Sequence, residues 1–374
     1  MDSYVTTPDA LAQLIAAARG EPRVAVDTEA ASFHRYRDRI YLIQVSTRDR
    51  TALIDPLAIA DVTPVGTLLA DATVEKTFHD ADYDLRVLDR DYGFRATRLF
   101  DTRIAAQLAG EPAIGLAALL AKYLGVNLAK EHQKADWSLR PLPPDMLAYA
   151  AADTRHLLDL RDALEQRVRE LGRLSWTEEE FTRLEALRWT GAAGGDTDGY
   201  LRVKGAKGLP PRALAAFREL HRWREGVAER DDKAPFRVIG NDALLAVSRA
   251  LPLAPADLGR IKDLPPSLAR RHGAALVDAV ARALALPEHE LPRLERVARL
   301  PKDPHFDARV ERLKAVRNRV AAELGLEPGV LCGRTTLEAV ARAAPKDRAG
   351  LARVGELRRW QIAVLGDALL GALR

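Results

Sequence analysis

The sequence predicts an α/β domain at the N-terminus followed by two small all-α domains. Strand-like and helix-like patterns alternate over the first 110 residues, whereas from about Pro144 the apolar spacing is helical throughout. A third observation, an internal repeat, divides the C-terminal part in two. A chain of 374 residues is also too long for one ordinary core, so two or three domains are expected.

The N-terminal domain, residues 1–175, begins with a predicted helix and continues with short strands. Thr7-Pro8-Asp9 precedes an apolar spacing that ends at Gly20, which is typical of a capped helix. The first strands follow one another closely, which indicates hairpins, so we expect a mixed sheet flanked by helices. Strands are predicted at residues 23–28, 40–46, 51–54, 74–78 and 98–100, with a helix at about 82–92 between the last two.

A long amphipathic helix is predicted from Pro144 to near Gly172. Thr177 and Glu180 have the spacing of a capping box, which predicts the start of the next helix. A glycine-rich stretch then interrupts the pattern. We therefore assign residues 176–207 to a helical and glycine-rich linker.

The C-terminal part repeats itself at an offset of 93 residues. Leu220 corresponds to Leu313, and the register then holds over about seventy residues without a gap. The matched positions are mostly apolar at helical spacing, so they define the core of a duplicated helical module. Two all-helical domains are predicted, at residues 208–290 and 303–374.

Charge is divided unequally along the chain. Residues 1–175 carry 22 basic and 26 acidic side chains, whereas residues 176–374 carry 35 and 27. A basic C-terminal part suits a polyanionic partner such as nucleic acid. The acidic part does not suit that partner by charge alone, unless cations lie between them.

Several classes of protein are excluded by composition. A single cysteine, Cys332, rules out an intramolecular disulfide and a zinc cluster built on thiolates. No run approaches eighteen apolar residues, which rules out a spanning helix, and the first residues lack the pattern of a secretory signal. We therefore expect a soluble cytoplasmic protein that does not interact with membranes, and nothing implies an obligate protein partner.

Acidic residues occur at three separated places in the predicted elements. Asp27 and Glu29 end the first strand, where residues i and i+2 project to the same face. Asp84 falls early in a helix, and Tyr149 and Asp153 lie one helical turn apart. Each place alone fits a solvated strand end, an acid favoured by a helix dipole or a surface pair. Together, these oxygen ligands suit hard divalent cations.

The joint order of these residues resembles the motifs of the DEDD superfamily of 3′–5′ exonucleases. The likeness is to its tyrosine-bearing branch, and most closely to the ribonuclease D family. The flanking segments 41–46 and 136–142 also agree with that family. The histidine-bearing branch would require a histidine where Ala148 stands. The matching residues are Asp27 and Glu29 for the first motif, Asp84 for the second, and Tyr149 with Asp153 for the third.

The two helical modules resemble helicase-and-RNase-D C-terminal domains, abbreviated HRDC, which bind nucleic acid in several relatives. Trp223-Arg224, Pro235-Phe236 and Arg271-His272-Gly273 carry this likeness in the first copy. The second copy has Val316 in place of the tryptophan and Pro328-Gly329 in place of Pro-Phe. We expect the modules to dock substrate, and the likeness supports the nucleic-acid surface of the first copy better than that of the second.

The resemblance implies a ribonuclease H-like sheet and a metal-dependent exoribonuclease that removes nucleotides from RNA 3′ ends, with tRNA precursors as expected substrates. Two divalent ions, Mg²⁺ or Mn²⁺, are implied as cofactors. In that family's pattern Asp27 bridges both ions, Glu29 and Asp153 hold the ion near the attacking water, and Asp84 holds the second. Tyr149 is expected to orient the attacking water.

Four further residues are candidates for binding substrate: Phe33, His79, Trp137 and Arg140. Phe33 and Trp137 can stack on bases, Arg140 can pair with a phosphate, and His79 can approach substrate at the mouth of the site. A structural role is an open alternative for each. For Trp137 packing in the core is favoured over stacking, and His79 can equally be a hydrogen-bonded structural histidine.

Two other functions remain open from the sequence. A 3′–5′ DNA exonuclease used in repair would need the same acids. A nucleic-acid-binding protein whose nuclease half only docks would not need them, so the complete set of four acids and a tyrosine weighs against it.

Overall fold

The computed structural model describes residues 2–128, 132–191, 198–294 and 303–374. The chain forms two compact units, and neither is continuous in sequence. The first unit comprises Met1–Ala30, Ile40–Trp189 and Pro301–Arg374, and the second comprises Ala31–Arg39 and Thr190–Leu300. The second helical module therefore belongs with the α/β domain. Residues 192–197 of the predicted glycine-rich stretch lie outside the described residues.

Within the part of the chain that the structure describes, six strands form one mixed sheet in the order β1-β4-β3-β2-β5-β6. The two hairpins are antiparallel, β2 with β3 and β3 with β4, whereas β1, β5 and β6 join in parallel. The predicted mixed α/β architecture is thus confirmed. The strands are β1 (Ser3–Val5), β2 (Arg23–Ala30), β3 (Ile40–Ser46), β4 (Thr51–Ile54), β5 (Glu75–Phe78) and β6 (Leu99–Asp101).

Up to Trp189, the described residues of the first unit form eight α-helices, which flank the sheet or follow it. The three-residue strand β1 was not predicted, because three residues are too few to show an alternating pattern. Strand β6 begins one residue later than predicted, since Arg98 has a left-handed backbone conformation (φ 53°) that no strand continues. The helices are α1 (Pro8–Arg19), α2 (Thr63–Ala70), α3 (Asp82–Tyr92), α4 (Thr102–Ala109), α5 (Leu116–Leu124), α6 (Pro144–Arg155), α7 (Leu157–Glu170) and α8 (Leu174–Glu185).

Two helix predictions in this region are wrong. The predicted long helix is two helices, because the backbone at His156 leaves the helical region (φ −107°, ψ 7°) between α6 and α7. The predicted capping box is absent, because α8 begins three residues before Thr177. The hydroxyl of Thr177 donates instead to the backbone oxygen of Leu174 at 2.6 Å.

Strands β2 and β3 form the buried centre of the sheet. All seven residues of β3 are buried, and Val24 to Val26 of β2 are fully enclosed. Helix α6 packs across β2, β3 and β4, and the buried hydroxyl of Thr154 near its end lies 2.7 Å from that of Ser46 on β3. This packing brings one face of α6 to the C-terminal end of β2.

The internal repeat is visible in the backbone of the two helical modules. Helices α10 and α14, and α11 and α15, begin and end at positions that differ by 93 residues. Leu251 and Ala344, which end α11 and α15, are both left-handed, with φ of 48° and 41°. The helices are α9 (Pro211–Arg230), α10 (Pro235–Val238), α11 (Asn241–Ala250) and α12 (Pro266–Leu284), then α13 (Phe306–Leu324), α14 (Pro328–Leu331), α15 (Arg334–Ala343), α16 (Arg348–Ala352) and α17 (Arg359–Leu373). None of the described helices has the length and apolar character needed to cross a bilayer.

The second helical module is joined to α8 of the α/β domain. Trp360 of α17 stacks on Trp176 of α8, with ring centroids 4.8 Å apart. The carboxylate of Glu179 accepts hydrogen bonds from the first backbone N–H groups of α17, at 2.8 and 3.1 Å. Glu180 accepts from the indole N–H of Trp360 at 2.9 Å and from Arg358 at 3.0 Å. These contacts cap α17 with side chains of the α/β domain.

Candidate functional site

Three carboxylates meet at the C-terminal end of β2. Asp27 and Glu29 come from β2 itself and Asp153 from α6, and one oxygen of each lies within 4.8 Å of the others. The two residues of β2 share a face because they are two positions apart in a strand. An all-oxygen donor set of this size suits a hard divalent cation such as Mg²⁺ or Mn²⁺.

Burial and mutual repulsion perturb these acids. The pKa values of Asp27 and Glu29 are raised well above the ordinary range, first because burial penalises the charged form and then because the neighbouring carboxylates repel it. Burial likewise raises the pKa of Asp153 to about 7. Carboxylates this close ionise together only when positive charge is supplied, so the residues present fit a bound cation.

Asp84 adjoins this group but lies outside the three-oxygen cluster. It stands in the first turn of α3, is buried, and accepts a hydrogen bond from the hydroxyl of Thr28 on β2. Burial raises the pKa of Asp84 to about 7. Its negative charge in turn helps raise the pKa of Asp27, which places the two carboxylates within electrostatic reach.

Tyr149 precedes Asp153 by one turn of α6, and its hydroxyl hydrogen-bonds that carboxylate. Burial, followed by the charge of Asp153, raises the pKa of the phenol. Tyr149 is therefore a neutral hydroxyl at pH 7. Its ring lies between two aromatic neighbours, with centroids 5.7 Å from His132 and 6.2 Å from Trp137.

A cleft of about 390 Å³ opens over these groups. Asp27, Tyr149 and Asp153 form part of its wall, and an ion pair between Arg103 and Asp80 forms another part. The remaining lining is apolar or neutral, and the residues are His79, Ile114, Gly115, Leu116, Gln133 and Leu157. The cleft thus combines an acidic floor with one guanidinium and an apolar side.

Of the four candidate substrate contacts, His79 lies in the wall of this cleft. Phe33 lies in the second unit, where its ring is 44% exposed and meets that of Phe236 edge-on, with centroids 6.4 Å apart. Both rings are accessible to stacking partners.

The other two candidates are engaged in structural contacts. Trp137 is 1% exposed, so its ring packs beside Tyr149 and leaves no face for a base. Arg140 donates to both carboxylate oxygens of Asp55, at 2.6 and 2.8 Å, and to the backbone oxygen of Tyr41 at 2.8 Å. Its planar fork is therefore occupied, and the expected pairing with a phosphate is not supported.

Some residues at the site were not predicted. Gln44 is fully buried opposite Asp27 in the β2–β3 register, and its amide nitrogen lies 3.5 Å from Glu29. A signal was present, because a glutamine in the middle of the apolar run 40–46 has no packing reason. Arg103 and Gln133 carried no comparable signal, since they reach the cleft only through the tertiary fold.

The raised pKa values predict how stability responds to pH. A carboxyl whose folded pKa lies above its ordinary value binds more protons when folded, so stability falls as pH rises between the two values. For Asp84 and Asp153 the folded value is about 7. We expect the thermal midpoint of the metal-free protein to fall as the pH rises from about 4 to about 7, and Mg²⁺ to raise it most at the upper end. Thermal unfolding in EDTA or Mg²⁺ measures this, and an equal Mg²⁺ effect at both ends would contradict it.

Two family models match the chain. The model described as a 3′–5′ exonuclease matches residues 3–169. The model of the HRDC domain matches twice, at residues 213–280 and 306–373. The five motif residues fall within the match to the exonuclease model. The two copies of the predicted repeat overlap the two matches to the HRDC model.

Similar proteins extend over the whole chain. Ribonuclease D of Pseudomonas paraeruginosa is 32% identical over 99% of this chain and 99% of its own length. The crystal structure of Escherichia coli RNase D, described as an exoribonuclease involved in structured RNA processing, has a TM-score of 0.73 and 28% identity, covering 99% of this chain and 98% of its own. A protein from Bifidobacterium adolescentis has a TM-score of 0.83 and 25% identity, covering 99% of this chain and 96% of its own.

Proposed function

Since the chain belongs to the ribonuclease D family and is a 3′–5′ exoribonuclease, we propose that it trims the 3′ ends of structured RNAs, tRNA precursors among them, by a two-metal-ion mechanism. The observation that carries this proposal is the convergence of Asp27, Glu29 and Asp153 beneath one cleft, with Tyr149 bonded to Asp153. Burial and mutual repulsion disfavour the charged forms of these acids, and a bound cation would offset both effects.

The four acids would divide between two divalent ions. In this assignment Asp27 would help to hold both ions, Glu29 and Asp153 would hold one of them, and Asp84 would hold the other. When bound, the ions neutralise the phosphate, lower the pKa of water and stabilise the departing oxygen. Thr28 and Gln44 hold Asp84 and Glu29 through hydrogen bonds, so these two carboxylates are oriented before any ion arrives.

Tyr149 orients the attacking water and does not itself remove a proton. Its pKa is raised, so the phenol keeps its hydrogen at neutral pH and is a poor base. The hydrogen bond to Asp153 and the packing of the ring between His132 and Trp137 fix the position of the hydroxyl. Trp137 thus supports the site as a packing residue.

An end-labelled digestion tests the substrate assignment. We expect a tRNA precursor with a 3′ extension to lose single nucleotides from its 3′ end in Mg²⁺ or Mn²⁺, and to stay intact in EDTA. A DNA strand of the same sequence serves as the control, and it should be shortened much more slowly. Equal shortening of the two strands, or cuts inside the RNA, would contradict the proposed function.

Two lysines that precede the first helical module, together with one arginine within it, are proposed to hold the RNA. Lys204 and Lys207 flank Gly205, and the guanidinium of Arg249 lies 3.9 Å from the point where a Cβ on Gly205 would stand. All three side chains are exposed. These three cations, called here the basic patch near Gly205, suit the binding of backbone phosphates.

Replacing Lys204, Lys207 and Arg249 together with glutamine is expected to weaken single-stranded RNA binding. The slope of log affinity against log salt should shrink by about 0.7 for each phosphate that is no longer neutralised, or by about 2 in all. Fluorescence anisotropy at several salt concentrations measures this slope.

A triple glutamine variant of the second module is the matched control. Lys314, Arg319 and Arg334 are exposed there, and each is paired with a glutamate of its own helix. Their replacement should leave the slope nearly unchanged. A similar decrease of the slope in both variants would mean that the patch near Gly205 is not a specific docking surface.

A further inference from the structure

His79 lies in the cleft wall, and the proposed chemistry does not use it. It directly follows the last residue of β5, and its ring is partly buried beside the cleft that contains Asp27 and Asp153. Its Nδ1 faces Thr102, at 2.9 Å from the hydroxyl oxygen. Among the described residues no hydrogen bond to Nε2 is found, and His79 is one of the residues that line the cleft.

The hydrogen bonds around Thr102 determine which nitrogen of His79 carries the proton. The hydroxyl of Thr102 lies 3.0 Å from the backbone oxygen of Phe78, which can only accept, so its single hydrogen is given there. The oxygen of Thr102 must then accept from Nδ1–H of His79. Burial lowers the pKa of His79 to about 4, so the ring is neutral at pH 7. Nε2 is therefore an acceptor without a hydrogen.

The loop that carries His79 is fixed in place. The carboxylate of Asp101 accepts from the backbone N–H of Ala81 at 2.7 Å and also caps the first turn of α4. Asp80, between His79 and Ala81, has a left-handed backbone with φ of 69°. Such a conformation persists only where the surroundings over-determine it, and it is common at binding sites. The acceptor is thus positioned before a substrate arrives.

An acceptor in this cleft selects a hydrogen-bond donor on the substrate. Phosphate oxygens and the sugar ring oxygen only accept, and the donors on the bases differ from one base to the next. A terminal 3′-hydroxyl occurs on RNA and DNA alike. The 2′-hydroxyl is a donor on every ribonucleotide and is absent from DNA.

We propose that Nε2 of His79 accepts a hydrogen bond from a ribose 2′-hydroxyl of the bound strand, and that this contact discriminates RNA from DNA. The proposal rests on the proposed function, because it requires the strand to lie in the cleft. His79 is on this view a specificity-determining residue, separate from the acids that hold the ions.

A substrate series tests this with the unaltered protein. Three end-labelled strands of one sequence carry ribose throughout, or 2′-deoxy or 2′-fluoro sugars at the last two nucleotides. The fluorine keeps a ribose-like sugar pucker but donates no hydrogen bond. We expect both modified strands to lower kcat/KM by about five- to tenfold, the effect of one hydrogen bond. A decrease confined to the deoxy strand would overturn the proposal, because the protein would then distinguish the sugar pucker and not the hydrogen-bond donor.

Two variants assign the effect to His79. His79→Phe keeps a ring without an acceptor, and His79→Gln places an amide oxygen near the position of Nε2. We expect the ribose-to-deoxy ratio of kcat/KM to approach one in the first variant and to stay partly above one in the second. The control is His289→Phe, at a residue 79% exposed in the second unit, which should keep the wild-type ratio.

The outcomes separate this inference from the proposed function. A wild-type ratio in His79→Phe would refute the inference while leaving the exonuclease assignment intact. Failure of the unaltered protein to trim an all-ribose 3′ end in Mg²⁺ or Mn²⁺ would refute the proposed function itself. Circular dichroism checks the folding of each variant, and the glutamine variant with the substrate series still decides if the phenylalanine variant does not fold.

Discussion

Replacing Asp27 with asparagine is expected to abolish metal-dependent trimming. Asp27 belongs to the three-oxygen cluster, and the negative charges of both Asp84 and Asp153 raise its pKa. It is therefore the central residue among the four acids. Loss of a residue that only hydrogen-bonds a metal ligand lowers metal affinity or activity by about 10- to 100-fold, and loss of a direct ligand should lower it further. Single-turnover digestion of a labelled RNA measures the rate, and anisotropy should show RNA binding near the wild-type value.

Asp9→Asn is the matched control for this variant. Asp9 is an exposed acid in the first turn of α1 and is not among the residues that line the cleft, so its replacement should change the rate less than twofold. Unchanged trimming by the Asp27 variant would refute the assignment of the site.

Replacing Trp360 with alanine is expected to cost about 3–5 kcal/mol of stability. Trp360 is 5% exposed, stacks on Trp176 and donates to Glu180, so its removal leaves a cavity at α8 and a carboxylate without its indole donor. Urea unfolding followed by far-ultraviolet circular dichroism measures the decrease in stability. Thermal inactivation of the nuclease should accelerate in parallel, because α8 belongs to the α/β domain.

Trp189→Ala gives the same chemical change at an exposed position. Trp189 is 42% exposed and its ring meets only the guanidinium of Arg90, at 5.0 Å from the centroid, among the ring contacts found in the described residues. A decrease in stability of no more than about 1 kcal/mol is expected. Equal decreases in the two variants would mean that the second module contributes no special support. Removal of residues 205–374 would delete this support together with Lys207 and Arg249, so a truncated protein would lose stability and cations of the basic patch at once.

The parts of the site that follow local periodicity were predictable from sequence. Residues two apart in a strand, or four apart in a helix, lie on the same face of that element. Asp27 could therefore be placed beside Glu29, and Tyr149 beside Asp153, without knowledge of the fold. The offset of 93 residues could likewise be found by comparing the sequence with itself, and two pairs of helices, α10 with α14 and α11 with α15, keep it at both ends.

What depended on distant partners was not predictable. Arg140 was expected to pair with a phosphate. Its guanidinium is instead bound by Asp55, which lies 85 residues away in sequence, so no local pattern showed this contact. The place of Arg103 in the cleft likewise arises only when α4 reaches the sheet. The break at His156 has no glycine or proline to mark it, and the apolar spacing continues across it. Sequence periodicity reports which face of an element is buried, but not what that face meets.

The interleaving of the two units has a consequence for biosynthesis. The chain passes from the first unit to the second after Ala30, returns at Ile40, leaves again after Trp189 and comes back at Pro301. Trp360, which stacks on α8, is synthesised long after α8 itself. The first unit therefore cannot finish folding until the second module has been translated. An RNA-degrading enzyme built in this way matures only when that late segment has joined the early one.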